Sequence, residues 1–288
     1  MRQDRNLSSH RKSLRLFLCG DVMCGRGIDQ VLAHPCSPEI YEDYMRSAED
    51  YVLLAEQANG PIPRRNGPPY VWGAALEQLA RIQPDARIIN LETAVTRSND
   101  RVQKGINYRM SPENAACLGD AKIDCCTLAN NHVLDWGRAG LRETLATLQQ
   151  LNIKVAGAGR NELDAKAPAV LNLAKARLLI FAFGSSSSGV PLDWAAAGDA
   201  ASFPNCQRRK PCWSLIRSWH SGGRAISLSF RSTGEQIGDI TFRMSRGSSL
   251  IGSSTRLACR SFMGIRRIIR GQSKSIAIAL SSTAAVIF

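Results

Sequence analysis

The sequence predicts an α/β domain, a sheet layered with helices, over residues 14–200. Three observations carry this. Short apolar runs alternate with helical patterns from Leu14 onward. Three of those runs end on carboxylate, asparagine or histidine side chains. After about Ala200 the texture changes: Ser, Arg and Gly dominate, and no period of 2 or 3.6 persists.

In chain order, residues 1–13 are polar and basic and read as a flexible N-terminus. Leu14–Asp21 alternates and reads as a buried strand delivering Asp21 at its C-terminal end. Pro38–Asn59 has a helical texture, with Tyr41, Tyr44, Met45 and Ala48 at helical intervals, and a Pro/Gly-rich loop ends it. A second helix is expected over Gly73–Ile82. Ala86–Glu92 reads as a strand finishing on Glu92, and Asp124–His132 repeats the arrangement with Asn130, Asn131 and His132. Leu141–Leu151 fits an amphipathic helix, Ile153–Gly159 a short strand with a glycine turn, and Ala176–Gly184 a buried strand. Gly184–Gly189, a serine-rich run leaving that strand, reads as a loop at the edge that holds the other polar clusters.

The formal charge is +13 over 288 residues, but it is unevenly placed. Asn205–Phe288 holds 14 Lys and Arg against two acids, Glu235 and Asp239, leaving 23 basic and 22 acidic residues upstream. The basic character therefore belongs to the tail, and the domain before it is close to neutral. Nine cysteines occur without a CxxC pair or zinc-finger spacing, which favours reduced thiols. No signal-peptide core and no apolar run long enough to span a bilayer are visible, so a cytoplasmic location is the default expectation.

Hydrolytic metal sites want hard oxygen and imidazole ligands on rigid elements, and Asp21, Glu92, Asn131 and His132 are of those types. Each alone has a plain structural reading: a turn cap for Asp21, a surface acid for Glu92, a helix cap for Asn130 or Asn131. Their common placement at strand ends favours the joint, functional one.

Gly20–Gly27, Asn90–Thr96, Lys104–Leu118, Leu128–Gly137, Gly157–Asn161 and Phe183–Trp194 together resemble the ordered motif series of the CapA family of poly-γ-glutamate capsule synthesis proteins. That family is similar in fold to calcineurin-like metallophosphoesterases, an α/β/β/α sandwich. The resemblance implies divalent metal ions at a two-metal site, with Asp21, Glu92 and Asn131 as ligands. It implies His132 as the imidazole that hydrogen-bonds or protonates a phosphate-like leaving group, with Asp135 orienting it. Lys104 and Arg160 are the expected contacts to an anionic polymer or phosphate-containing substrate.

The resemblance stops near residue 200. The later His-Trp-Gly and Gly-His-Ser-His elements of such sites are missing; His10, His34, His132 and His220 are the only histidines. The sandwich is therefore expected to be incomplete, with 201–288 a disordered or misfolded basic tail. A shifted frame, each codon starting on the third base of the one before, lets Arg224–Ile240 read Ser-Asp-Ile-Val-Val-Val-Ser-Ile-His-Trp-Gly-Ala-Asn-Trp-Gly-Tyr with permitted synonymous codons. In the same frame Leu257–Phe288 can supply a Gly-His-Ser-Ser-His element. A frame slip near Asp193–Phe203 accounts for both. With these histidines absent, weak metal binding and little or no turnover are expected.

Two rival readings stand beside this one. A non-functional fragment predicts poor solubility, through an exposed sheet edge and uncovered apolar faces. A nucleic-acid or membrane-surface role would use the tail's Arg266–Arg270 run, but no aromatic interleaving or binding motif accompanies that charge, so no nucleic-acid partner is expected.

Overall fold

The computed structural model describes residues 14–174, 176–184 and 189–195 in full, with the strand backbone at 225–233, 236–246, 249–251, 256–257 and 277–279. Strand β1 (Arg15–Val22) is followed by helix α1 (Arg26–Val31), the hairpin β2 (Glu39–Glu42) and β3 (Met45–Ser47), and helix α2 (Ala48–Asn59). Helix α3 (Ala75–Ile82), strand β4 (Ala86–Leu91), the small pair β5 (Ala94–Val95) and β6 (Arg109–Met110), helix α4 (Ala116–Asp120) and strand β7 (Cys125–Thr127) come next. Then follow helix α5 (Gly137–Gln150), strand β8 (Lys154–Ala156), helix α6 (Glu162–Lys166), and strands β9 (Ala169–Asn172) and β10 (Arg177–Phe183). The later strands are β11 (Ala225–Thr233), β12 (Gln236–Arg246), β13 (Ser249–Ile251), β14 (Arg256–Leu257) and β15 (Ala277–Ala279).

Two main sheets result. The first, in the order β15-β1-β4-β7-β8, is parallel throughout, and its β1, β4 and β7 are apolar because both faces are covered. The second is mixed: β10 pairs antiparallel with β9 and parallel with β11, and β12 continues it antiparallel, carrying β13 and β14. One hydrophobic core joins the sheets, with Leu16, Ile88, Cys126 and Ala156 of the first and Ala169, Leu178, Ile180 and Ala182 of the second. Gly157, at φ +85°, packs directly against β10. A Cβ there would stand 2.7 Å from Cβ of Ala182 and 2.8 Å from Cβ of Ala129, so no side chain fits. A mixed α/β fold around a parallel core sheet is consistent with the calcineurin-like architecture expected.

The strands expected at 14–21, 86–92, 153–159 and 176–184 and the helices expected at 73–82 and 141–151 are present within a few residues. The long helix expected over 38–59 is not. Its first half is the β2–β3 hairpin, paired Glu39 to Ser47 and Glu42 to Met45. Helix α2 begins only after Ser47, whose hydroxyl caps the amide of Glu49, and local pairing has overridden the helical spacing of the tyrosines. The serine run at 185–188 and most of 196–288, where the tail and the frame slip were placed, lie outside the described residues. The cysteines described, Cys19, Cys24, Cys36, Cys117, Cys125 and Cys126, are all free. Among the described residues no helix is long and apolar enough to cross a membrane.

Candidate functional site

The C-terminal ends of β1, β4 and β7 converge, as parallel strands of an α/β sheet place their ligand-binding ends together. The register explains the placement of Asp21. Between Cys19 and Asp21 the β1–β4 pairing slips by one residue, a bulge at Gly20 that sets Asp21 opposite Asn90, which is itself opposite Thr127 of β7. Asn90 is buried, and its Nδ2 donates to Asp21 Oδ1 at 2.8 Å and to Glu92 Oε2 at 2.5 Å. Its Oδ1 accepts from Thr127 Oγ1 and from Asn130 Nδ2, both at 3.2 Å.

These two carboxylates share one amide and a poor supply of positive charge. Burial, then the charge of Asp21, pushes Glu92 up to about 8. Asp21 opens toward solvent, yet the protein packed around its carboxyl raises it too, against the opposing hydrogen bond from Asn90.

The loop after β7 supplies the second half of the cluster. Asn130 shapes it: its side-chain oxygen accepts from the amide of His132 at 3.0 Å, and its Nδ2 donates to the carbonyl of Leu91 at 2.9 Å. His132 Nδ1 lies 2.7 Å from Oδ2 of the fully buried Asp135, which also accepts from the amide of Tyr108 at 2.6 Å. The other carboxylate oxygen of Asp135 pairs with Lys104 Nζ at 2.6 Å. Burial lowers the imidazole's pKa despite Asp135, so at neutral pH the ring is neutral, with Nδ1–H on the aspartate and Nε2 as the acceptor. Tyr108 stacks on that ring, centroids 3.9 Å apart and planes 22° from parallel.

The expected residues sort as follows. Asp21 lies at the C-terminal end of β1 and Glu92, Asn131, His132 and Asp135 on the segments after β4 and β7, all within one connected network. Lys104 is there too, but it is engaged internally: besides Asp135, its ammonium donates to the carbonyl of Asn131 at 2.6 Å. Arg160 is exposed and donates to Gln149 of α5 at 3.5 Å. Sequence reasoning passed over Asn90, Tyr108 and Arg26, and gave Asn130 a strand-end or capping place without a role in the site. Asn90 carried a signal, as a polar residue inside the apolar run Ile88–Leu91 of β4.

Two carboxylates and an asparagine side chain are oxygen donors of the type a hard divalent cation takes, and burial together with the charge of Asp21 raises Glu92. Among the described residues no three His, Cys, Asp or Glu side chains converge into a group that could hold a metal ion.

Comparison with known proteins assigns the family. The family model for the bacterial capsule synthesis protein PGA_cap matches residues 15–211. A probable polyglutamine synthesis accessory protein of Mycobacterium tuberculosis is 42% identical over 186 residues, 64% of this chain and 49% of that protein. The PGA biosynthesis protein CapA of Bacillus subtilis is 32% identical over 79 residues, 27% of this chain and 21% of its own. An uncharacterized protein of Sinorhizobium fredii is 36% identical over 126 residues, 42% of this chain and 27% of its own. The chain thus spans about half the length of the mycobacterial relative. With a family match covering residues 15–211 of 288, the chain belongs to the bacterial capsule synthesis protein PGA_cap family.

Proposed function

We propose that the chain serves in the synthesis of a polyglutamate polymer, as the names of its relatives suggest, and that its strand-end cluster is a divalent-cation site acting on an anionic substrate. The single observation that carries the second part is the sharing of one Asn90 amide by Asp21 and Glu92, with Glu92 raised to about 8. A cation held by Asp21, Glu92 and Asn131 would supply Lewis-acid polarisation of a phosphate or carbonyl oxygen. His132 works as a neutral imidazole whose Nε2 accepts a hydrogen bond or takes up a proton. Asp135 fixes the ring's tautomer and stabilises the imidazolium that results. Lys104 ties the Asn131 carbonyl to Asp135 and so holds the loop in place.

The test is a melting curve of the full chain with and without Mn²⁺. A saturating cation at about a hundred times its Kd adds about 2.7 kcal/mol. Wild type should gain stability and the Asp21→Asn/Glu92→Gln pair should not; equal gains in both would remove the metal reading.

A second reading concerns what this chain retains of the site. The tail from residue 201 is proposed to be out-of-frame sequence, leaving the cation site short of its later histidines. The family match ending at 211 and the basic composition beyond 205 support this. The nucleotide sequence decides it: codons for 224–240 that lack His-Trp-Gly in the shifted frame would refute the slip.

A further inference from the structure

Beyond Tyr108 the site is flanked by one arginine that neither the resemblance nor the relatives' names assign. Arg26 follows the turn after β1, the strand that carries Asp21, and its backbone sits in the left-handed region at φ +50°, a conformation that costs a non-glycine residue about 1 kcal/mol or more. Helix α1 packs on α2 at Gly27, where an added Cβ would stand 3.1 Å from Cβ of Tyr51. That approach brings the Tyr51 ring to the arginine. The guanidinium carbon lies 4.9 Å from the centroid of Tyr51 and 4.7 Å from that of Tyr108, the ring stacked on His132.

Glu42, almost fully buried on the β2–β3 hairpin, stands with Oε1 2.8 Å from Arg26 Nε and accepts from the Tyr51 hydroxyl with its other oxygen. The hairpin and α2 thus fix one edge of the guanidinium. Its Nη edge has no acceptor among the described residues, and 16% of the side chain stays open to solvent. A charged fork that is stacked, anchored at Nε and left free at Nη is a receptor for an anion arriving in the plane of the guanidinium.

We propose that Arg26 is the substrate-anchoring residue of this site and that it takes a carboxylate of an acidic peptide chain. The fork's edge takes a carboxylate bidentately; the choice of carboxylate over phosphate rests on the polyglutamate reading above, and the competition below separates the two. The inference rests on the anionic-substrate reading above and deepens it by naming residue and group. Lys104, already satisfied by Asn131 and Asp135, is left to position the loop.

The experiment is fluorescence anisotropy of a labelled hexaglutamate peptide with the full chain. R26M is expected to weaken binding at least tenfold. R26K, which keeps the charge and loses the fork, should weaken it severalfold while melting near wild type, so that a folding defect in R26M cannot decide the matter. R81M, on an exposed arginine of α3 that donates to Gln78, should bind as wild type. Binding by R26M and R26K within twofold of wild type would overturn the role of Arg26. Displacement of the peptide by inorganic phosphate more readily than by free glutamate would overturn the carboxylate assignment. Absence of peptide binding by wild type would also overturn it, and the Mn²⁺ melting shift, which does not involve Arg26, reports separately on the cation site.

Discussion

Asp135 serves His132 and Lys104 at once: one carboxylate oxygen lies 2.7 Å from the imidazole Nδ1 and the other 2.6 Å from the ammonium. It is a fully buried anion whose partners come from both sides, and removing it strands Lys104, the imidazole and the amide of Tyr108 together. Asp135→Ala should therefore cost about 3–5 kcal/mol of unfolding free energy, as breaking a buried pair does. Asp135→Asn, which retains an oxygen for the Tyr108 amide, should cost less, about 1–3 kcal/mol. Urea denaturation of the three proteins checks the order.

Glu92 makes stability depend on pH. Its folded pKa of about 8 lies above the ordinary value of 4.5, so between those pH values the folded chain holds a proton that the unfolded chain releases. The contribution is fully present below about pH 4.5 and is lost as pH rises through about 8. Glu92→Gln should flatten the decline between pH 5 and 8 in metal-free buffer, measured by melting temperature. A slope unchanged by the substitution would place the cause elsewhere.

Gly157 should tolerate no side chain. Valine there would meet Ala182 and Ala129 at under 3 Å and would also hold an unfavourable positive φ. A loss of about 3 kcal/mol or more follows from overpacking plus strain. Gly157→Ala should already be costly, and thermal melts of the two variants give the ranking.

Asp29 is the buried clip of α1. It accepts from the amide of Cys36 at 2.6 Å, the amide of Ser111 at 3.0 Å and the amide nitrogen of Asn114 at 2.7 Å, and burial raises its carboxyl. Asp29→Ala leaves three buried donors without their acceptor and should cost about 3 kcal/mol or more, read from chemical denaturation.

The parallel sheet was legible because its strands are buried on both faces and so stand out as apolar runs closing on polar residues, Asp21 and Glu92 among them. The hairpin at 39–47 was not, since Tyr41, Tyr44 and Met45 fall at helical intervals by coincidence and only the pairing of Glu39 with Ser47 reveals the strand state. Ligand types were visible in the motifs, but their cohesion was not. Asn90 matters through a one-residue bulge that brings it opposite Asp21, and a bulge leaves no mark in the residue pattern. Arg26 was hidden for a similar reason, because its partners Glu42, Tyr51 and Tyr108 are distant in sequence.

The contact of Gly157 with Ala182 and Ala129 also has a bearing on how the chain is assembled. All three residues precede 193, so this contact is written wholly in the upstream part of the gene. A change of reading further on can alter which strands are laid at the outer edge of β10. The close packing of Gly157 on Ala182 and Ala129 is encoded before that point and needs no later strand to form.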